Sequence, residues 1–391
     1  MESLGVYISV PFCRAKCTFC NFASDAFGLE RLDGYVERLC AEIAAAKTDA
    51  AALGADLPGS VDSVYFGGGT PSLLAPAQLR SIFEALRGEF DVLRGAEITL
   101  ECAPGQVGEA TLEEALRQEV NRVSFGVQSF VDAESAAVGR LHTAQQCLAE
   151  IARMKAAGLD EISLDLIAGL PRQTAASWEI SLDAVIEAGV PHASVYMLEV
   201  DEESRLGKEL IAGGPRYQAT TVPSDEAMTE FYARACERFN TAGLRQYEIS
   251  NFAREGHASR HNLKYWQRAP YVGFGVDAHS MLRRGAGALR FANADSLDAY
   301  AAGETRGATG VDADAAFEEA LFLGLRMNAG VDLTALQLEF GASRVASCAE
   351  SLRDLVEGGL LRRTGEQVAL TERGRLVSNE VFGELLRVVA Q

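Results

Sequence analysis

Short apolar, β-branched runs alternate with longer stretches of helical periodicity from the N-terminus to about residue 200. The runs at 5–10, 62–66, 97–102, 122–127, 161–167 and 193–198 predict strands, and the segments at 31–53, 76–87, 111–117, 143–157 and 174–187 predict the helices between them. This alternation predicts parallel β/α units with right-handed crossovers. Six such strands make an open barrel, short of the eight that close one. The pattern changes after residue 200: a helix is expected at 224–242, a short strand at 246–249, and then a stretch at 251–280 rich in His, aromatic and Gly residues. From Phe317 onward the chain reads as helical, with a turn at Glu357-Gly358-Gly359 and a hairpin of 360–363 with 367–370 around Thr364-Gly365-Glu366. The expected class is α/β: an open (β/α)6 partial TIM barrel over 1–240, a barrel-closing segment over 241–310, and a mainly helical, winged-helix-like domain over 311–391.

Chemistry in parallel β/α folds gathers at the carboxyl ends of the strands. Nearly every predicted strand delivers a polar or unusual residue there. The first runs into Pro11-Phe12-Cys13 and the second into Gly67-Gly68-Gly69-Thr70-Pro71. The third ends at Glu101, the fourth leads to Gln128, the fifth carries Asp165 and the sixth delivers Met197 to Glu199. That convergence predicts one site.

Composition narrows the function classes. With 36 Lys plus Arg against 55 Asp plus Glu, the net charge is −19, which disfavours general binding to nucleic acid or to an anionic membrane. No basic stretch leads into an apolar run at the N-terminus, and no window of about 20 apolar residues spans a bilayer. A cytoplasmic location is expected, with no transmembrane segment. Of eight cysteines, Cys40, Cys102, Cys147, Cys236 and Cys348 stand singly and read as buried small apolar residues. The other three form Cys13-x-x-x-Cys17-x-x-Cys20, and a cluster of thiols in a large chain without an export signal reads as metal-binding. Structural zinc wants four tetrahedral ligands, and no fourth Cys or His lies nearby. Three thiolates on an iron–sulfur cluster leave one iron open to an external chelating group, so the cluster is favoured over zinc.

This spacing resembles the signature of the radical-SAM superfamily, and the chain is identified as a resembling member. The resemblance implies a [4Fe–4S] cluster on Cys13, Cys17 and Cys20, S-adenosyl-L-methionine chelated to the open iron, an electron donor for the cluster, and a barrel of radical-SAM type. Within the superfamily, residues 7–13, 66–71, 122–130 and 165–171 resemble the oxygen-independent coproporphyrinogen III oxidase group. Carried over by motif, Tyr7, Phe19, Gly68, Gly69, Thr70, Glu101, Gln128, Arg140 and Asp165 are expected to line the SAM pockets. Glycine suits backbone approach to a ligand, the carboxylates suit an ammonium, a sulfonium or ribose hydroxyls, and Arg140 suits a carboxylate.

Two subgroups share these motifs. The oxidases carry a cysteine where this chain has Phe22, and a longer N-terminal extension where only twelve residues precede Cys13. Both departures resemble the HemW-type heme chaperones, as does His261-Asn262-Leu263-Lys264-Tyr265-Trp266, which matches their HNxxYW motif. A neutral imidazole ligates heme iron and aromatic rings stack on a porphyrin, so His261 is the candidate heme contact and His279 a second one. A core histidine is the bland alternative. Ser9 and Met197 depart from the group's usual His and Gln. The implied function is uptake of heme and its transfer to acceptor proteins such as respiratory enzymes, with no residue assigned a catalytic role. Transient contact with a membrane-bound acceptor, through apolar surface on the C-terminal domain, is also expected. The alternatives are oxygen-independent decarboxylation of coproporphyrinogen III to protoporphyrinogen IX, and radical chemistry on another substrate.

Overall fold

The computed structural model describes residues 2–285 and 287–389. Six parallel strands form in sequence order: β1 (Leu4–Val10), β2 (Ser60–Gly68), β3 (Asp91–Cys102), β4 (Arg122–Gln128), β5 (Glu161–Ala168) and β6 (His192–Met197). Between them run α1 (Leu32–Ala52), α2 (Pro76–Glu89), α3 (Glu109–Arg117), α4 (Asp132–Ala137), α5 (Ala144–Ala156) and α6 (Ala175–Ala188). The strands are buried along most of their length, as β1 illustrates with Leu4, Val6, Ile8 and Val10, because helices cover the sheet. Local signals set the helix starts: Thr143 and Thr174 cap α5 and α6 by accepting from Gln146 N and Ser177 N.

The sheet is longer and more mixed than six parallel strands. After α7 (Arg205–Ile211) and α8 (Asp225–Thr241) come β7 (Arg245–Gln246) and β8 (Asn251–Ala253), where the sequence predicts one strand at 246–249. A reversal at 247–250 splits that segment and pairs β8 antiparallel with both β6 and β7. The helix α9 (Arg260–Trp266) then leads to β9 (Tyr271–Phe274), which lies parallel to β1 on the opposite edge. Past it come β10 (His279–Arg284), β11 (Gly287–Asn293), α10 (Leu297–Ala301) and β12 (Thr305–Val311), giving the order β12-β11-β10-β9-β1-β2-β3-β4-β5-β6-β8-β7. Residues 241–310 therefore extend both edges of the sheet instead of joining them by hydrogen bonds.

The C-terminal part contains α11 (Ala313–Arg326), β13 (Val331–Asp332), α12 (Leu333–Phe340), α13 (Ala342–Ser347), α14 (Ala349–Glu357), β14 (Leu361–Thr364), β15 (Gln367–Leu370), α15 (Glu372–Leu376) and α16 (Ser378–Val389). Its three strands form their own sheet, in which the antiparallel β14–β15 hairpin turns at Gly365 with φ +63°. A separate apolar cluster built on Phe317, Leu321, Phe340, Leu352 and Val368 holds it together. Leu338 is the large apolar side chain of this part that stands exposed among the described residues, so the expected apolar docking surface is not found here. Among the described residues no helix is long and apolar enough to cross a membrane.

Candidate functional site

The strand ends converge as expected on one cavity of about 710 Å³. It is bordered by Cys13, Cys17, Phe19, Cys20, Gly68, Gly69, Thr70, Glu101, Gln128, Arg140 and Asp165. The cysteine loop is fixed at its root and its middle. Phe12 and Asp25 pair as a β-bridge, with Cys13 N donating to Asp25 O at 2.9 Å and Asp25 N to Pro11 O at 3.0 Å. Thr18 N donates to Val138 O, and Leu206 N donates to Thr18 O. The glycine turn is laced to the same root, Gly69 N to Val10 O at 2.9 Å and Thr70 N to Phe12 O at 2.8 Å. A Cβ on Gly69 would stand 2.7 Å from both of the Val10 and Phe12 carbonyl oxygens, so only glycine lets the two loops meet.

None of the three thiols is in a disulfide, and each has a polar neighbour: Thr70 Oγ1 lies 3.7 Å from Cys13 Sγ, Arg140 Nη1 3.5 Å from Cys17 Sγ, and Ser24 Oγ 4.0 Å from Cys20 Sγ. Burial pushes the Cys13 and Cys20 thiols up. Among the described residues no three His, Cys, Asp or Glu side chains are placed to hold a single metal ion. Three thiols on one loop are the donor set that a cubane would use, each thiolate on a different iron.

Across the cavity, the sheet breaks register between Gly126 and Gln128, and Gln128 takes φ +69°. A bulge that turns a non-glycine residue left-handed at a strand end re-aims its side chain, here into the site. Arg140 donates to Gly126 O through Nη2, while its Nε is buried and finds no partner among the described residues. Such a guanidinium can still accept an anionic ligand. Asp165 accepts from Ser124 Oγ at 3.2 Å and from Ser163 Oγ at 3.5 Å, yet burial raises its pKa. Burial likewise pushes Glu101 up to about 7, although Tyr65 Oη donates to it at 2.8 Å; nearby Asp165 adds to the rise.

This raised Glu101 value has a definite pH signature. The folded carboxyl keeps its proton to higher pH than the unfolded chain does, so its stabilising contribution is full below about 4.5 and is lost as pH rises through about 7. Thermal unfolding of the ligand-free protein is therefore expected to show falling stability across that window, and Glu101→Gln should flatten the fall. A cationic ligand favours the ionised carboxylate, so affinity for a sulfonium or ammonium ligand seated beside it should rise over the same window in the wild type but not in Glu101→Gln. Calorimetric titration on both sides of neutrality reads this directly; equal pH dependence in the two proteins would refute it.

Two expected residues fall elsewhere. Tyr7 borders a second, smaller cavity. His261 sits towards the amino ends of β2 and β3, in the helix α9, which is tied to those two strands. Glu97 of β3 accepts from the backbone N of Arg260 and His261 and from Ser259 Oγ, while Lys264 pairs with Asp62 at 2.7 Å. The His261 ring is 1% exposed, with Nδ1 3.1 Å from Ser63 Oγ and Nε2 2.8 Å from Tyr265 Oη. Burial, with Lys264 adding, lowers its pKa to about 3, so it is neutral. Both ring nitrogens of His261 are thus engaged in this structure, and the residue borders neither cavity.

Other wall residues carry no local sign in the sequence. Arg326 of α11 and Ser378 and Asn379 of α16 reach the cavity from the C-terminal part. Arg326 lies over the Trp266 ring at 4.3 Å and pairs with buried Glu248 at 3.5 Å. Phe22, Leu141, Tyr196 and Met197 border the same cavity while exposing apolar surface, so the apolar patch surrounds the mouth.

Residues 7–219 match the Radical SAM superfamily, and residues 311–377 match the HemN C-terminal domain. The protein named heme chaperone HemW from Bacillus subtilis (strain 168) is 32% identical over 394 residues, covering 98% of this chain and 99% of that one. The protein of the same name from Escherichia coli (strain K12) is 33% identical over 281 residues, covering 71% of this chain and 70% of that one. Among solved structures, coproporphyrinogen III oxidase (HemN) from Escherichia coli shares the fold with a TM-score of 0.82 at 22% identity, over 98% of this chain and 90% of that one.

Proposed function

Because the chain belongs to the radical SAM superfamily and, within it, to the HemW group of coproporphyrinogen-oxidase-like proteins, we propose that it is a heme chaperone. In this reading it binds heme beside a SAM-liganded [4Fe–4S] cluster and passes the heme unchanged to acceptor proteins such as respiratory enzymes. The observation that carries the reading is the near-full-length similarity to proteins of that name. Phe22 supports it, since this position bears an exposed apolar ring where a thiol would be expected in an oxidase.

When bound, the cluster supplies an open iron position and a single electron. The chain's own residues do the holding. Cys13, Cys17 and Cys20 bind the irons, with Thr70 and Arg140 donating to two of the sulfurs. Gly68 and Gly69 let backbone come close to the methionine end of S-adenosylmethionine, while Arg140 attracts its carboxylate. Glu101, Asp165 and Gln128 take its cationic and hydroxyl groups, and Phe19 covers an apolar side. The protein works in the cytoplasm, takes its electron from a separate donor, and meets membrane-bound acceptors through the apolar rim of the cavity.

The shared fold with coproporphyrinogen III oxidase favours a second reading, decarboxylation of coproporphyrinogen III. One anaerobic preparation, reconstituted with iron and sulfide, separates the two. The expected result is saturable heme binding without protoporphyrinogen formation in a coproporphyrinogen turnover assay. Turnover would overturn the chaperone reading, and so would failure to bind heme.

A further inference from the structure

A second cavity of about 270 Å³ lies behind the cysteine loop and shares Phe22, Ser24 and Gly68 with the first. Tyr7, Tyr265 and Tyr271 give it aromatic walls, and His279 stands at its border. Among the five histidines of the sequence, His279 is set apart. His142, His192 and His261 are buried with ring nitrogens in hydrogen bonds, and His257 holds Glu161 at 2.6 Å. The His279 side chain is 62% exposed, with Asp277 Oδ1 3.8 Å from Nε2, beyond hydrogen-bond reach.

Its backbone is held firmly. A Cβ on Gly273 would lie 2.4 Å from His279 O, and one on Gly275, at φ +96°, would lie 2.6 Å from Ser9 O. The loop before His279 is thus clamped against its own hairpin and against β1, which fixes where the imidazole is presented. Phe22 is 64% exposed on the wall common to both cavities. An exposed phenyl ring between two cavities is a surface that an apolar ligand would cover.

We propose that this second cavity takes one edge of the heme, with a His279 ring nitrogen donating its lone pair to the iron and the macrocycle resting on Phe22 and the tyrosine rings. The proposal rests on the heme-chaperone reading and adds the site and the ligand. A heme is larger than 270 Å³, so its remainder lies over Phe22 towards the cluster cavity. The bond is a simple coordination of neutral imidazole to iron, needing no oxidant or reductant.

Heme titration of the full chain, followed by absorbance and electron paramagnetic resonance, tests this on the wild type, His279→Ala, His261→Ala, Phe22→Ala and Met197→Leu. The His279 side chain is largely exposed, so its alanine variant should unfold at the wild-type temperature. It is expected to lose the imidazole-ligated spectrum, to bind heme about tenfold or more weakly, and to regain the spectrum on adding free imidazole. Phe22→Ala should weaken binding with the spectrum unchanged. If His279→Ala keeps wild-type spectrum and affinity, or if His261→Ala or Met197→Leu changes the ligation instead, the proposal falls while the chaperone reading stands. A wild type that binds no heme would sink that underlying reading, and the proposal with it.

Discussion

Replacing any one of Cys13, Cys17 and Cys20 by alanine should leave a folded protein that no longer retains iron after anaerobic reconstitution. The wild type should hold about four irons per cluster, and each variant should fall to background, with loss of the visible iron–sulfur absorbance. Losing one thiolate leaves two, too few to retain a cubane whose fourth iron already lacks a protein ligand. Affinity for S-adenosylmethionine should collapse with the cluster, because the methionine end loses the open iron. Cys102→Ala is the matched control, since Cys102 borders the same cavity but its Sγ is turned back to Leu100 O. Iron retained in any of the three variants, or lost from Cys102→Ala, would show that the ligand set is wrong. Folding should survive because these side chains lie in a loop whose root is held by backbone hydrogen bonds at Phe12 and Asp25.

The second large effect concerns Gly69. Its alanine variant places a methyl 2.7 Å from two backbone oxygens and 2.8 Å from Phe12 N, none of which can swing aside as a side-chain tip can. Relief requires the end of β1 to part from the glycine turn, breaking the bonds from Gly69 N and Thr70 N. The expected cost is about 1–3 kcal/mol of folding stability, read as a lower midpoint in chemical denaturation. Because the displaced segment carries Cys13, cluster incorporation should fall as well. Gly88→Ala provides the contrast: it lies in α2 with nothing within 4 Å of the added carbon, so helix propensity should make it neutral or stabilising by about 0.5–1 kcal/mol. Equal stability in Gly69→Ala and Gly88→Ala would refute the packing argument.

Much of this protein was legible one residue at a time. Strand and helix periodicities are local, and a fully covered parallel sheet writes its buried strands as near-continuous apolar runs, so β1 to β6 were readable. The cysteine spacing and the glycine run lie on single loops, so their meeting at one cavity was readable too. His261 and Tyr265 mark where that reading stopped. The motif is contiguous in sequence, but α9 carries it to the amino ends of the strands, where His261 is spent on Ser63 and Tyr265. His279, eighteen residues after His261, is left largely exposed at the second cavity.

The chain by itself determined the six parallel strands, the helices between them, and which strand ends gather. Tertiary structure alone decided which face of the barrel each motif reaches, because that depends on pairings between distant segments. The parallel docking of β9 on β1 carries 271–274 to the edge opposite β8 and sets the wall of the second cavity. Packing of α11 and α16 against the barrel brings Arg326, Ser378 and Asn379 to the first. No local pattern encodes either contact, since each exists only once separate apolar surfaces have been buried against one another.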